Sequence, residues 1–236
     1  MEEINLVTRY KAKSPFAEAY RAVRTNLQFS GAGSAIQCII FTSAAPREGK
    51  STTAANMAIM MAQDGKKVLL IDADMRKAVQ HIIFNLPNKG LSNCISMNTP
   101  FEEVVQKGIA APNLDILPGG PMPPNPAELL NSANMAALLR QVRNVYDYIF
   151  IDMPPIMVVT DAAVLASKAD RVVLVVRSGV VPPARLQSAK ERLEQGGARL
   201  LGVILNCVPQ YRCDNYGYGA YYDEKAEKQH HESAPL

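Results

Sequence analysis

The sequence predicts an α/β protein with a mostly parallel, doubly wound sheet and helices on both faces. Two observations carry that reading. Apolar, β-branched runs over residues 36–42, 67–71, 114–117, 148–151, 172–176 and 200–205 are mostly continuous rather than alternating, as strands covered on both faces are. Helical patterns with recognisable ends separate these runs, and strand–helix alternation of this kind builds a parallel sheet.

In chain order, residues 15–29 carry a helical pattern that stops at Gly31-Ala32-Gly33. A helix from Lys50 to about Gln63 ends at Asp64-Gly65, where glycine takes the left-handed conformation that closes a helix. Thr99-Pro100 supplies a cap residue and a first-turn proline for a helix over 101–106. Asn125-Pro126 does the same for 127–130, and Ser132 is placed to cap 134–146. A further helix over 183–195 stops at Gly196-Gly197. The stretch from Pro209 to Leu236 has no apolar periodicity and reads as a mobile tail, so the chain divides into a core over 1–208 and a tail over 209–236.

At 236 residues the chain is long enough to bury a large core without staples. Its net charge of +3 argues against nucleic acid or a polybasic membrane patch as the main partner. The four cysteines, Cys38, Cys94, Cys207 and Cys213, form no CxxC pair; Cys38 lies in one apolar run and Cys207 just after another, so reduced, buried thiols are expected rather than a zinc or iron–sulfur site. His81, His230 and His231 form no ligand set; His81 is read as structural. No apolar stretch approaches a membrane span, and Met1-Glu2-Glu3 opens no signal peptide. The expectation is a soluble, cytoplasmic protein, any membrane role of which must run through a partner.

The apolar run 36–42 leads into Ala44-Ala45-Pro46-Arg47-Glu48-Gly49-Lys50-Ser51-Thr52, and a helix follows. This is the phosphate-loop pattern with alanine in its first glycine position. Loop N–H groups and the positive helix end cradle phosphates, and Lys50 adds an ammonium. The Ser51 hydroxyl suits the Mg²⁺ that accompanies ATP, and Gly49 lets the backbone approach without a Cβ. An ordinary strand–turn–helix has no need of Gly-Lys-Ser-Thr at this point. Two further runs end in carboxylates, Asp72-Ala73-Asp74-Met75-Arg76 and Asp152-Met153-Pro154-Pro155. Ligands of an open α/β sheet sit outside the carboxyl ends of its strands, so both clusters are expected to face the loop. Asp152 is the expected partner of Ser51 at the metal. Asp72 and Asp74 are expected to face different ways and to do different jobs.

The AxxPxEGKS loop, the DADMR segment and the DMPP segment together resemble the bacterial tyrosine kinases of the capsule and exopolysaccharide type, over nearly the whole chain. In that family the segments are called Walker A, A′ and B, and the residue before the loop glutamate is usually glycine, where this chain has Arg47. The resemblance implies an ATP- and Mg²⁺-dependent kinase with Lys50, Asp72, Asp74 and Asp152 as its catalytic set. Ala45 to Thr52 would bind the nucleotide, Ser51, Asp74 and Asp152 the metal, and Asn206 would lie near the adenine. A phenol has a pKa of about 10 and needs a proton acceptor as it attacks; Asp72 and Asp74 are the candidates.

Five of the nine tyrosines, Tyr211, Tyr216, Tyr218, Tyr221 and Tyr222, fall in the tail. Alone they would read as a disordered aromatic segment; beside this site they resemble the family's autophosphorylation cluster. Glu18, Arg21 and Arg24 follow at i, i+3 and i+6 and reproduce the family's ExxRxxR motif, which joins subunits into a homo-oligomeric ring. A ring implies transfer in trans to a neighbour's tail. The resemblance also implies a transmembrane activator and protein tyrosine substrates. The rival class is the MinD/ParA-like switch ATPase, which shares the sheet but typically carries a lysine early in the loop, where this chain has Ala45. An iron–sulfur carrier would need the missing CxxC.

Overall fold

The computed structural model describes residues 6–9, 14–30 and 36–209. All six strands among them are parallel: β1 (Cys38–Ser43), β2 (Val68–Asp72), β3 (Leu114–Leu117), β4 (Tyr148–Asp152), β5 (Arg171–Arg177) and β6 (Leu200–Asn206). Their order across the sheet is β3-β2-β4-β1-β5-β6. Within each inner strand the side chains alternate between two cores. Cys38 and Ile40 join one and Ile39 and Phe41 the other, just as Leu69 and Ile71 are divided from Val68 and Leu70. That is why these strands read as unbroken apolar runs.

One face is covered by α1 (Pro15–Phe29) and α2 (Lys50–Gln63), the latter buried all round from Thr53 to Ala62. The other carries α4 (Leu91–Met97), α5 (Pro126–Asn131), α6 (Ala133–Arg143), α7 (Asp161–Ala166) and α8 (Pro183–Gln195); the single turn α3 (Gln80–Ile83) sits beside α2. Several ends form as expected. Ser14 and Ser132 accept the N–H of Ala17 and of Met135, and Gly65 has φ +83° just past α2.

The helix expected over 101–106 is instead a 3₁₀ turn, Phe101–Glu103, after which Gln106 bridges antiparallel to Ile116 and extends the β3 edge. Cys207 is exposed, not buried, because β6 is an edge strand and the chain turns out of the sheet there with φ +54°. Among the described residues no helix is long and apolar enough to cross a membrane.

Candidate active site

The loop between β1 and α2, the exit of β2 and the exit of β4 meet at one edge of the sheet. β4 lies between β2 and β1, and Asp72 and Asp152 are register partners at its border with β2. Parallel pairing therefore brings two carboxylates side by side next to the start of α2.

Gly49 precedes α2 with φ +86°, and a Cβ there would lie 2.1 Å from Asn206 Nδ2, so this position accepts glycine alone. Arg47 also takes a left-handed backbone, φ +65°, with its side chain exposed. The Glu48 side chain is buried and turned into the loop: Oε2 accepts from the N–H of Ala45 at 2.8 Å and Oε1 from that of Arg177 at 3.4 Å. Its carboxylate braces the loop, leaving backbone as its contribution to a phosphate cradle. Asn206, at the end of β6, donates to the Glu48 carbonyl at 3.0 Å, so it packs on the loop itself. Ala45 is half-buried and Pro46 exposed, while Ser51 and Thr52 lie half-buried in the first turn of α2.

Lys50 reaches across the cluster, with Nζ 3.0 Å from each of Asp74 Oδ2, Asp152 Oδ1 and Ser51 Oγ. Burial pulls its pKa down, but the charges of Asp152 and Asp74 outweigh that and hold the ammonium above its ordinary value. Asp72 is fully buried; Oδ2 accepts from the N–H groups of Val79 and Gln80 at 2.8 Å each, and Oδ1 from that of Asp74 at 3.2 Å. Burial first, then the neighbouring Asp152 charge, push its pKa up to about 7 against the opposing N–H bonds and Lys50. Asp74 is raised as well, by burial, against the pull of Lys50.

Asp72 and Asp74 have different partners, the N–H groups of Val79, Gln80 and Asp74 for the first and the Lys50 ammonium for the second. The division arises because β2 ends at Asp72 and the chain then turns away. Among the described residues no three His, Cys, Asp or Glu side chains are placed to hold a metal alone. The arrangement fits a Mg²⁺ that takes one or two carboxylates and completes its shell with hydroxyl, phosphate and water oxygens.

Gln80 and Asp161 carried no sequence signal, and Arg76 figured only within the DADMR segment. Gln80 donates through Nε2 to Asp152 Oδ2 at 3.0 Å and to the Ser51 carbonyl at 3.1 Å. Arg76 grips the fully buried Asp161 with Nε and Nη2 at 2.9 and 3.1 Å. Further away on α1, Glu18 and Arg21 form an ion pair, and Arg24 meets Asp64 at the end of α2 at 3.2 Å. Tyr211, Tyr216, Tyr218, Tyr221 and Tyr222 lie outside the described residues.

A family model described as an AAA domain matches residues 39–182. The tyrosine-protein kinase YwqD of Bacillus subtilis strain 168 is 42% identical over 225 residues, 95% of this chain and 94% of that protein. The putative tyrosine-protein kinase CapB of Staphylococcus aureus is 41% identical over 91% of this chain and 93% of that one. The crystal structure of the chimerical protein CapA2B2 matches with a TM-score of 0.82 at 42% identity, over 86% of this chain and 90% of its own. The septum site-determining protein MinD of Pyrococcus horikoshii OT3, complexed with Mg-ADP, matches with a TM-score of 0.61 at 22% identity over 72% of this chain and 70% of its own, a likeness of fold alone. With a phosphate loop, a lysine shared by two strand-end carboxylates and identity to named kinases along almost its whole length, the chain belongs to the bacterial tyrosine-protein kinases.

Proposed function

We propose that this chain is an ATP- and Mg²⁺-dependent kinase that phosphorylates the tyrosines of its own tail in trans, within a homo-oligomeric ring, and regulates capsule or exopolysaccharide synthesis. Residues 1–208 form the kinase core and 209–236 the acceptor tail. The observation that carries the reading is Lys50 held between Asp74 and Asp152 beside Ser51, a donor and ligand set matched to a Mg²⁺-bearing triphosphate.

In this reading ATP is the phosphoryl donor, held by the backbone of residues 45–52 and by Lys50, with Asn206 at the loop's outer side. Ser51, Asp152 and Asp74 would hold Mg²⁺, which would supply positive charge to the phosphates. The tyrosine oxygen attacks the γ-phosphorus, the bond to the β–γ bridging oxygen breaks, and the phenolic proton passes to an aspartate. We assign that proton to Asp72, the register partner of Asp152 at the exit of β2, whose pKa burial raises toward the operating pH. Asp74, already on the Lys50 side, stands with the metal.

The in-trans geometry rests on Glu18, Arg21 and Arg24 as a subunit contact. A separate transmembrane activator is the family's arrangement for members without spans. Fold likeness to MinD leaves a switch ATPase as the rival, and Ala45 in place of that class's early loop lysine counts against it.

Lys50→Met is expected to abolish phosphotyrosine while far-UV circular dichroism stays that of the wild type. Persistent autophosphorylation in that variant would contradict the assignment. Asp72→Asn is expected to stop transfer with Mg·ADP binding kept within a few-fold; loss of ADP binding instead would take the base role away from Asp72.

A further inference from the structure

One buried glutamine ties together the three segments that build the site, and no motif marks it. Gln80 opens α3 and is fully buried. Its backbone N–H donates to Asp72 on β2, its Nε2 to Asp152 on β4, and the same Nε2 to the Ser51 carbonyl in the first turn of α2. Chemistry decides which way the amide points. The two partners of Nε2 are a carboxylate and a carbonyl, both acceptors, so turning the amide over would set Oε1 against two acceptors. Oε1 itself is buried and has no partner within the protein.

We infer that Gln80 is a positioning residue for Asp152, and through it for Lys50. Asp152 divides its oxygens: Oδ1 takes Lys50 and Oδ2 takes Gln80. A fully buried carboxylate oxygen without a donor is costly, so without Gln80 the second oxygen would seek the cation already at hand, which is Lys50. Closing both oxygens on Lys50 tightens a pair that phosphate must break when it recruits the ammonium. It also takes Asp152 away from the orientation in which it can serve Mg²⁺. The glutamine therefore keeps the lysine available and the carboxylate aimed. This inference rests on the nucleotide-site reading above.

The test is Mg·ADP binding by isothermal titration calorimetry on the full chain, at fixed and at varied Mg²⁺. Wild type, Gln80→Met and Gln80→Glu are compared, with KM and kcat for tyrosine phosphorylation measured alongside. Methionine matches the length of glutamine but donates nothing; glutamate keeps the shape but sets a further carboxylate against Asp152. Removing a hydrogen bond to a charged group should weaken Mg·ADP binding and raise the half-saturating Mg²⁺ by ~10- to ~100-fold, with KM moving more than kcat. Gln80→Glu should change in the same direction and show the larger rise in Mg²⁺ requirement. A folded Gln80→Met with wild-type Mg·ADP affinity and Mg²⁺ dependence overturns the inference. If Gln80→Met does not fold, the same result in Gln80→Glu overturns it. Failure of the wild type to bind Mg·ADP overturns both this inference and the nucleotide site, whereas binding by the wild type with unchanged variants overturns Gln80 alone.

Discussion

Asp72 is a carboxylate packed among protein groups rather than water, and its environment makes a statement about stability as well as chemistry. Burial and Asp152 raise its pKa from 3.8 to about 7. The folded state thus holds a proton that the unfolded chain has already released above pH 4. Its contribution is fully present below the unfolded value and is lost as pH rises through about 7. Measured by urea unfolding in EDTA without nucleotide, Asp72→Asn should gain stability relative to the wild type between pH 4 and 7. A constant difference across that range would contradict the burial argument.

Arg47 makes the opposite point, since its left-handed φ of +65° costs a side-chain-bearing residue about 1 kcal/mol. Arg47→Gly relieves that strain at some cost in unfolded-state entropy. A gain of about 0.5 kcal/mol, or roughly 1–2 °C in melting temperature, is expected for a domain of this size. The phosphate loop and all three aspartates were legible because each is a short residue pattern tied to a strand end. Gln80 was not, because its role comes from a turn that three separated segments create together.

At the scale of elements, Arg76 links the exit of β2 to the start of α7. Its fork closes on Asp161, which is wholly buried, while the guanidinium itself remains partly in solvent. Arg76→Ala would leave a buried carboxylate without its cation, a loss of about 3 kcal/mol, or roughly 6–12 °C in melting temperature. Asp161→Asn keeps the shape and a hydrogen-bond acceptor and should lose less. Equal, negligible losses by thermal melts would mean that the pair does not hold these elements together.

The strands and long helices were readable from apolar runs and from their caps, whereas α3, α4 and α7 span four, seven and six residues, too short to show a helical period. Thr99-Pro100 misled for a related reason. Those residues start a turn correctly, but pairing of Gln106 with Ile116 ends it after Glu103.

For the whole molecule, the proposal makes function a property of the assembly. Glu18 and Arg21 pair on α1, and Arg24 is tied to Asp64, so the motif helix is anchored to α2, the helix that begins at the phosphate loop. Arg21→Ala with Arg24→Ala should reduce the assembly to smaller species on gel filtration. The intramolecular pairs lost are surface ones of about 1 kcal/mol or less, so the fold should persist. An unchanged elution volume would remove the ring from the account.

In the proposed reaction the γ-phosphoryl of ATP ends on tyrosines of the tail. Its most direct test is intact-mass and peptide analysis of the full chain after incubation with ATP and Mg²⁺. Added phosphates are expected on tyrosines among Tyr211, Tyr216, Tyr218, Tyr221 and Tyr222, and none in Lys50→Met. ADP release with no phosphotyrosine on the chain would contradict it and favour the switch-ATPase reading.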